Sequence, residues 1–310
     1  MRIIFMGTPD FAVPCLKKLC DAGEQVVAVF TQPDKKVGRK QLLTPSQVKI
    51  EAERRGLAVF QPATLKSDEV VSEINALEAD LIVVVAYGKI LPKAVLDAPK
   101  YGAINVHASI LPKYRGAAPI QWAVINGDSE TGVTVMQMDE GLDTGDMILV
   151  KKVPIGDSIT SAELFDELAP LGAEALIEAI EMIKAGTAER TPQPKGDFGY
   201  ASMITKAMSP IDWGKSATEV HNLVRGLQTW PSAQTVINGK TVKIHKTKIN
   251  NSPCKTSPSG TVLQNKGVLT VRCGEGAVDI LELQPEGKKR MDVKAFLAGN
   301  NVNLGDVIGK

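Results

Sequence analysis

Along the first 190 residues, short apolar runs alternate with longer stretches in which apolar residues recur every three to four positions. Residues 2–6, 26–31, 81–86, 103–107 and 133–138 are rich in Val and Ile and lack a period-two alternation, which is the pattern of strands buried on both faces. All five are expected to pair in parallel. Residues 11–22, 45–55, 67–77 and 117–126 carry helical spacing, and 161–185 predicts a long last helix, interrupted near Pro170. Strand and helix alternating through short links predict an α/β fold, an open Rossmann-like and mostly parallel sheet covered by helices on both faces.

Between residues 187 and 209 the periodicity dissolves into Thr-Pro-Gln-Pro-Lys-Gly-Asp and a stretch without pattern, the texture of a linker. Beyond it a helix is expected at 217–227, then β-like runs at 234–237, 241–246, 260–264, 268–273 and 278–283, separated by Gly, Asn or Pro. Five short strands predict a small OB-like β-barrel, a fold that often binds nucleic acid. The expected organisation is a catalytic domain over 1–188, a linker over 189–208 and a barrel over 209–310. A chain of 310 residues is long enough for two cores.

Composition changes this picture little. With 44% apolar and 23% charged residues, and no run near the roughly 20 apolar residues of a membrane helix, a soluble cytoplasmic monomer without membrane association is expected. Cys15, Cys20, Cys254 and Cys273 have no CxxC spacing and read as bystander thiols of a reducing compartment. Charge changes it more. The net charge is +1, yet residues 1–189 hold 19 Lys and Arg against 26 Asp and Glu, and residues 190–310 hold 17 against 9. Halves of −7 and +8 point to a polyanion as partner of the second.

Gly7-Thr8-Pro9 follows the first strand where a dinucleotide-binding chain would carry G-x-G-x-x-G, so a nicotinamide or flavin enzyme is disfavoured. Asn105 and His107 alternate along one strand near its carboxyl end, on one face and where open α/β sheets place ligands. The run Asp139-Glu140-Gly141-Leu142-Asp143-Thr144-Gly145-Asp146 sets four carboxylates in a tight loop that does not match a calcium-binding spacing. A carboxylate from it, held beside His107, would orient the imidazole. Lys35, Lys36, Arg39 and Lys40 form a basic loop after the second strand, and Lys240, Lys243, Lys246, Lys248 and Lys255 have no acid between them. By strict alternation Lys243 and Lys246 fall on opposite faces of their strand.

Asn105-Val106-His107, Ser109-Ile110-Leu111-Pro112, Arg115-Gly116-Ala117-Ala118-Pro119 and Gly141-Leu142-Asp143-Thr144-Gly145 resemble the signatures of folate-dependent formyltransferases. The likeness extends along the chain through Gly7-Thr8-Pro9-Asp10-Phe11-Ala12, Thr31-Gln32-Pro33-Asp34, Ala86-Tyr87-Gly88, Ile211-Asp212-Trp213 and Trp230-Pro231. The resemblance implies Asn105, His107 and Asp143 as catalytic residues, and Ser109, Ile110, Leu111 and Pro112 as folate contacts, with Ile110 where the family more often has Leu. It implies 10-formyltetrahydrofolate as formyl donor, no metal, and initiator methionyl-tRNA as acceptor. Arg39, Lys35, Lys36, Lys40, Lys206, Lys243, Lys246 and Lys248 would contact the tRNA. A small-molecule amine formyltransferase and a formyltetrahydrofolate hydrolase share the same three residues and remain alternatives.

Overall fold

The computed structural model describes residues 1–38, 41–250 and 257–309. Arg39, Lys40, Cys254 and Lys255, singled out above, lie outside the described residues. In chain order the elements are β1 (Arg2–Gly7), α1 (Val13–Asp21), β2 (Gln25–Phe30), β3 (Lys35–Val37), β4 (Leu42–Thr44), α2 (Gln47–Arg54), β5 (Val59–Phe60), α3 (Asp68–Ala76), β6 (Leu81–Val85), α4 (Lys93–Leu96), β7 (Ala103–His107), β8 (Arg115–Gly116), α5 (Pro119–Ile125), β9 (Glu130–Gln137), β10 (Met147–Pro154), α6 (Ser161–Ala185) and β11 (Tyr200–Ala201). They are followed by α7 (Ala217–Gly226), β12 (Ala233–Ile237), β13 (Lys240–Asn250), β14 (Val262–Gln264), β15 (Leu269–Arg272), β16 (Ala277–Pro285), β17 (Met291–Asp292) and α8 (Val293–Gly299).

Two compact units are built from three segments each. The first takes Met1–Ala117, Thr131–Val153 and Phe165–Ala201, and the second Ala118–Glu130, Pro154–Leu164 and Ser202–Lys310. The first unit is α/β. Its seven-stranded sheet has the order β10-β9-β7-β6-β1-β2-β5. β1 pairs in parallel with β2 and β6, and β6 with β7. β1, β6 and β7 are buried almost throughout, as their unbroken apolar runs require. Helix starts follow local chemistry, since Ser46 and Ser67 accept from the backbone N–H three residues on and so satisfy one orphan donor of each first turn.

Two expectations for this unit need correction. Strand 133–138 does not pair in parallel: β9 runs antiparallel to β7, with Asn105 opposite Met136 and His107 opposite Thr134. Burial on both faces erases the alternation and leaves the same apolar run for either direction, so strand sense was not readable there. Helix α6 also passes through Pro170 without interruption. Proline in a helix interior costs about 3 kcal/mol, but Leu168, Leu176 and Ile180 are fully buried, at roughly 1.5–3 kcal/mol each, and burial wins. Gly172 lets α6 approach β7 and β9 closely, because a Cβ there would lie 3.0 Å from Val106 Cγ1 and 3.6 Å from Val133 Cγ1.

The second unit carries an antiparallel six-stranded sheet, ordered β12-β13-β16-β15-β14 with β17 on β16, that curls as a half-barrel. Leu227, Ile244, Leu269, Val271, Ile280 and Leu283 lie in its core. Helix α7 starts with a capping box between Ser216 and Glu219. In β13 the register shifts on both sides of Lys246. This bulge shifts the phase of the strand, so Lys243, Lys246 and Lys248 are all exposed while Val242, Ile244 and Thr247 are buried. The opposite-face expectation for Lys243 and Lys246 fails for that reason. Among the described residues no helix is long and apolar enough to cross a membrane.

Candidate active site

β7 ends in the first unit at the carboxyl edge of its parallel strands, and Asn105 and His107, two positions apart, leave one face of it. Both are buried. Among the described residues no hydrogen bond reaches the Asn105 carboxamide, and its amide atoms are not among the fully enclosed side-chain atoms that lack a partner, so they keep some access to the site. His107 is held by its Nε2, 2.9 Å from the Tyr114 carbonyl. A carbonyl only accepts, so Nε2 carries the hydrogen. The other ring nitrogen, Nδ1, faces Asp143 Oδ2 at 3.8 Å, beyond hydrogen-bond length and close enough for charge interaction.

Asp143 reaches this position from the loop between β9 and β10. Its backbone is left-handed, at φ 53°, a conformation Asp tolerates better than most residues. The loop is folded on its own polar groups: Asp139 accepts from the Gly141 N–H at 3.0 Å and from the Thr144 hydroxyl at 2.7 Å. A side chain at Gly145 would run into the Gln137 carbonyl. The Asp143 carboxylate accepts from the Gly116 N–H at 2.8 Å. Gly116 sits at φ 119°, with the Ala201 carbonyl and the Tyr200 ring 2.7 and 2.8 Å from where its Cβ would be, so only glycine brings that N–H to the carboxylate.

Ser109, Ile110, Leu111 and Pro112 make the turn beyond His107. The Ser109 hydroxyl donates to the Lys113 carbonyl at 2.6 Å. The Thr134 hydroxyl donates to the Ser109 carbonyl at 2.7 Å and accepts from the Leu111 N–H at 3.1 Å. Ser109 and Leu111 are buried, whereas Ile110 and Pro112 keep part of their surface. The structure thus brings Asn105, His107, Asp143 and this turn together. Lys35 and Lys36 stand exposed on the β3–β4 hairpin, Lys35 donating to Gln32 Oε1 at 2.6 Å. Lys206, Lys243, Lys246 and Lys248 are exposed residues of the second unit.

Residues 1–180 match the family described as formyl transferase, and residues 203–301 match the formyl transferase C-terminal domain. The chain belongs to the formyl transferase family. Relatives of this formyltransferase include the methionyl-tRNA formyltransferases of Alkaliphilus oremlandii, 48% identical over 310 residues and the whole of both chains, and of Geotalea uraniireducens, 48% identical over the whole of this chain and 98% of its own. Among solved structures, a sugar 3N-formyl transferase, WlaRD, crystallised with dTDP and 5-N-formyl-THF, superposes with a TM-score of 0.69 at 22% identity, covering 93% of this chain and 99% of that one. The N-formyltransferase of Helicobacter canadensis, in complex with folinic acid and dTDP-3-aminofucose, gives 0.67 at 21%, covering 91% and 98%. At such identities these two show a shared fold.

The candidate site also holds residues that sequence reasoning passed over. Tyr114 supplies the carbonyl that orients His107. Gln193, in the stretch read as linker, donates to the carbonyls of Asp143 and Gly145 at 2.9 and 2.8 Å and accepts from Arg115 Nε and Nη2 at 2.9 and 2.6 Å. The sequence signal that was available is a single Gln locked between Pro192 and Pro194.

Proposed function

We propose that the chain transfers the formyl group of 10-formyltetrahydrofolate to the free amino group of methionyl initiator tRNA, in the cytoplasm and as a monomer, with residues 1–188 doing the chemistry and 209–310 holding the RNA. The observation that carries the chemical half is the Asn105 carboxamide, which keeps its hydrogens free of the described residues, beside a His107 Nδ1 that faces Asp143 Oδ2 across 3.8 Å. The acceptor follows from the relatives, since sequences 48% identical along their whole length carry that name.

An amine attacking a formyl carbon produces an oxyanion, and preorganised donors stabilise it most. The Asn105 N–H groups are the donors free for that task. His107, with Nε2 fixed on the Tyr114 carbonyl, turns Nδ1 toward the same space, and a protonated Nδ1 adds a second donor and a positive charge. Asp143 lies on the Nδ1 side of that ring and, through one water, accepts a proton from the attacking nitrogen. The donor supplies the formyl carbon; as the intermediate collapses, the bond from that carbon to the folate nitrogen breaks, and the proton taken from the amine passes to this leaving nitrogen, which departs as tetrahydrofolate. Ile110 and Pro112 offer the accessible apolar faces of the 109–112 turn, while the Ser109 hydroxyl is already bonded to Lys113, so folate contact from this turn is expected through apolar surface and backbone. Lys35, Lys36, Arg39, Lys40, Lys206, Lys243, Lys246 and Lys248 would meet tRNA phosphates.

The test is transfer of labelled formyl from 10-formyltetrahydrofolate to Met-charged initiator tRNA, beside free methionine, glycinamide ribonucleotide and no acceptor. Label on the tRNA alone is the expected result. Label on a small amine, or formate without an acceptor, retains the chemistry and replaces the substrate. His107→Ala and Asp143→Ala should each lower turnover by about 10²–10⁴-fold with tRNA affinity little changed. Near-normal turnover removes them from the mechanism.

A further inference from the structure

Between residues 191 and 200 every side chain is exposed except that of Gln193. Its amide is saturated. Oε1 takes two N–H groups of Arg115, and both hydrogens of Nε2 go to the carbonyls of Asp143 and Gly145, which is the full donor capacity and the full lone-pair capacity of the group. The segment that presents it is fastened at both sides. Thr191 exchanges two backbone hydrogen bonds of 2.9 Å with Met147, the first residue of β10, and β11 pairs with β8 through Tyr200–Arg115 and Ala201–Gly116.

Asp143 needs such support. Its left-handed backbone is strained and persists only where the surroundings over-determine it. Two groups hold the residue from opposite ends, the Gly116 N–H on its carboxylate and Gln193 on its carbonyl. Arg115 and Gly116 are neighbours in β8, so both holds run to one strand. We propose that Gln193 is a positioning residue for formyl transfer: it fixes the Asp143 backbone so that the carboxylate faces His107. This rests on the reading of Asp143 as catalytic. Gln193 touches no reacting atom in this reading, and its effect passes entirely through Asp143.

Gln193→Glu separates positioning from simple packing. A carboxylate there keeps, and strengthens, the hold on Arg115 but has no hydrogen to give, and it places charge against two carbonyl oxygens. Gln193→Ala removes both halves. With the full chain, both variants are expected to lower kcat by about 10–100-fold, the loss that goes with misplacing a reacting group by ~1 Å, with KM for 10-formyltetrahydrofolate and for charged tRNA within ~3-fold. Adding Gln193→Glu to Asp143→Ala should cost nothing more, because the route of action is already gone. Wild-type kcat in Gln193→Glu overturns the proposal, whatever Gln193→Ala does. An additional loss in the double variant overturns it as well, by showing an effect that bypasses Asp143. If Asp143→Ala alone keeps wild-type kcat, the catalytic reading of Asp143 falls and takes this inference with it. A drop in activity that tracks a lowered melting temperature and disappears at low temperature marks structure alone and also overturns it.

Discussion

Tyr87 sits just beyond β6 with its ring inside the apolar cluster of Ile4, Met6, Phe30, Ile82 and Leu91. Its backbone is well anchored, the carbonyl accepting from the Thr8 hydroxyl and the Gln32 carboxamide. Its hydroxyl is not: among the described residues it is the buried side-chain atom left without a partner, and burial pushes the phenol up to about 12. Leaving a buried hydroxyl unbonded costs about 1–3 kcal/mol, and a phenylalanine ring keeps the packing. Tyr87→Phe should therefore raise the denaturant midpoint, by about 1 kcal/mol of stability; a lower midpoint would mean that the hydroxyl is bonded in solution. At this scale the site was partly legible. Asn105 and His107 could be read from alternation at a strand end, because that placement is a backbone rule. Asp143 could be singled out from its three acidic neighbours only through the family resemblance, since the distinction lies in who bonds whom. Asp139 is spent on Gly141 and Thr144, whereas Asp143 faces His107. Gln193 was illegible because it acts 50 residues from its partner across a stretch without periodicity.

Elements were legible where burial imposes a pattern, and less so where a connection or a bulge decides. β1, β6 and β7 announced themselves as apolar runs. The sense of β9 did not, and β10 was missed because its burial is intermittent and its sequence mixes Lys with Val. Helix α7 shows how an expected element can hide a titrating group. His221 on it bonds the Thr247 hydroxyl of β13 through Nδ1 at 2.8 Å and the Asp157 carbonyl through Nε2 at 3.0 Å, so the neutral ring is fully partnered. Its pKa is lowered, chiefly by burial and also by the nearby Arg225 charge, with the bond to Asp157 and that residue's charge acting in the other direction. A histidine whose folded pKa lies below the ordinary 6.5 binds its proton more readily unfolded. Its contribution is thus complete above about pH 6.5 and is lost as pH falls below that value. His245 on β13 is shifted the same way, again chiefly by burial. Melting temperature should therefore decline between pH 7.5 and 5.5, and His221→Gln should flatten that decline. An equal slope in the variant would place the pH sensitivity elsewhere.

For the molecule as a whole, charge was the most legible property. The contact-defined units each gather three segments, so Ala118–Glu130 and Pro154–Leu164 group with Ser202–Lys310, an interleaving that no linear change of composition betrays. The opposite signs of the two halves, by contrast, need only counting, and the bulge in β13 gives the basic half a local form by exposing Lys243, Lys246 and Lys248 together. Binding that rests on lysine–phosphate contacts releases counterions, and the logarithm of affinity falls with the logarithm of salt by roughly 0.7–0.9 per phosphate neutralised. If these three lysines each meet a phosphate, replacing all three with alanine should reduce the steepness of that dependence by about two to three. It should weaken tRNA binding at low salt far more than at high salt, where the lost contacts were already screened. Turnover at saturating tRNA should stay near that of the unaltered chain, because the proposed chemistry rests on Asn105, His107 and Asp143 in the other unit. Equilibrium binding of Met-charged initiator tRNA over a salt series, for the unaltered chain and the triple variant, decides the matter. Parallel salt lines for the two would mean that the lysines face solvent in the complex and that the RNA is held by other residues.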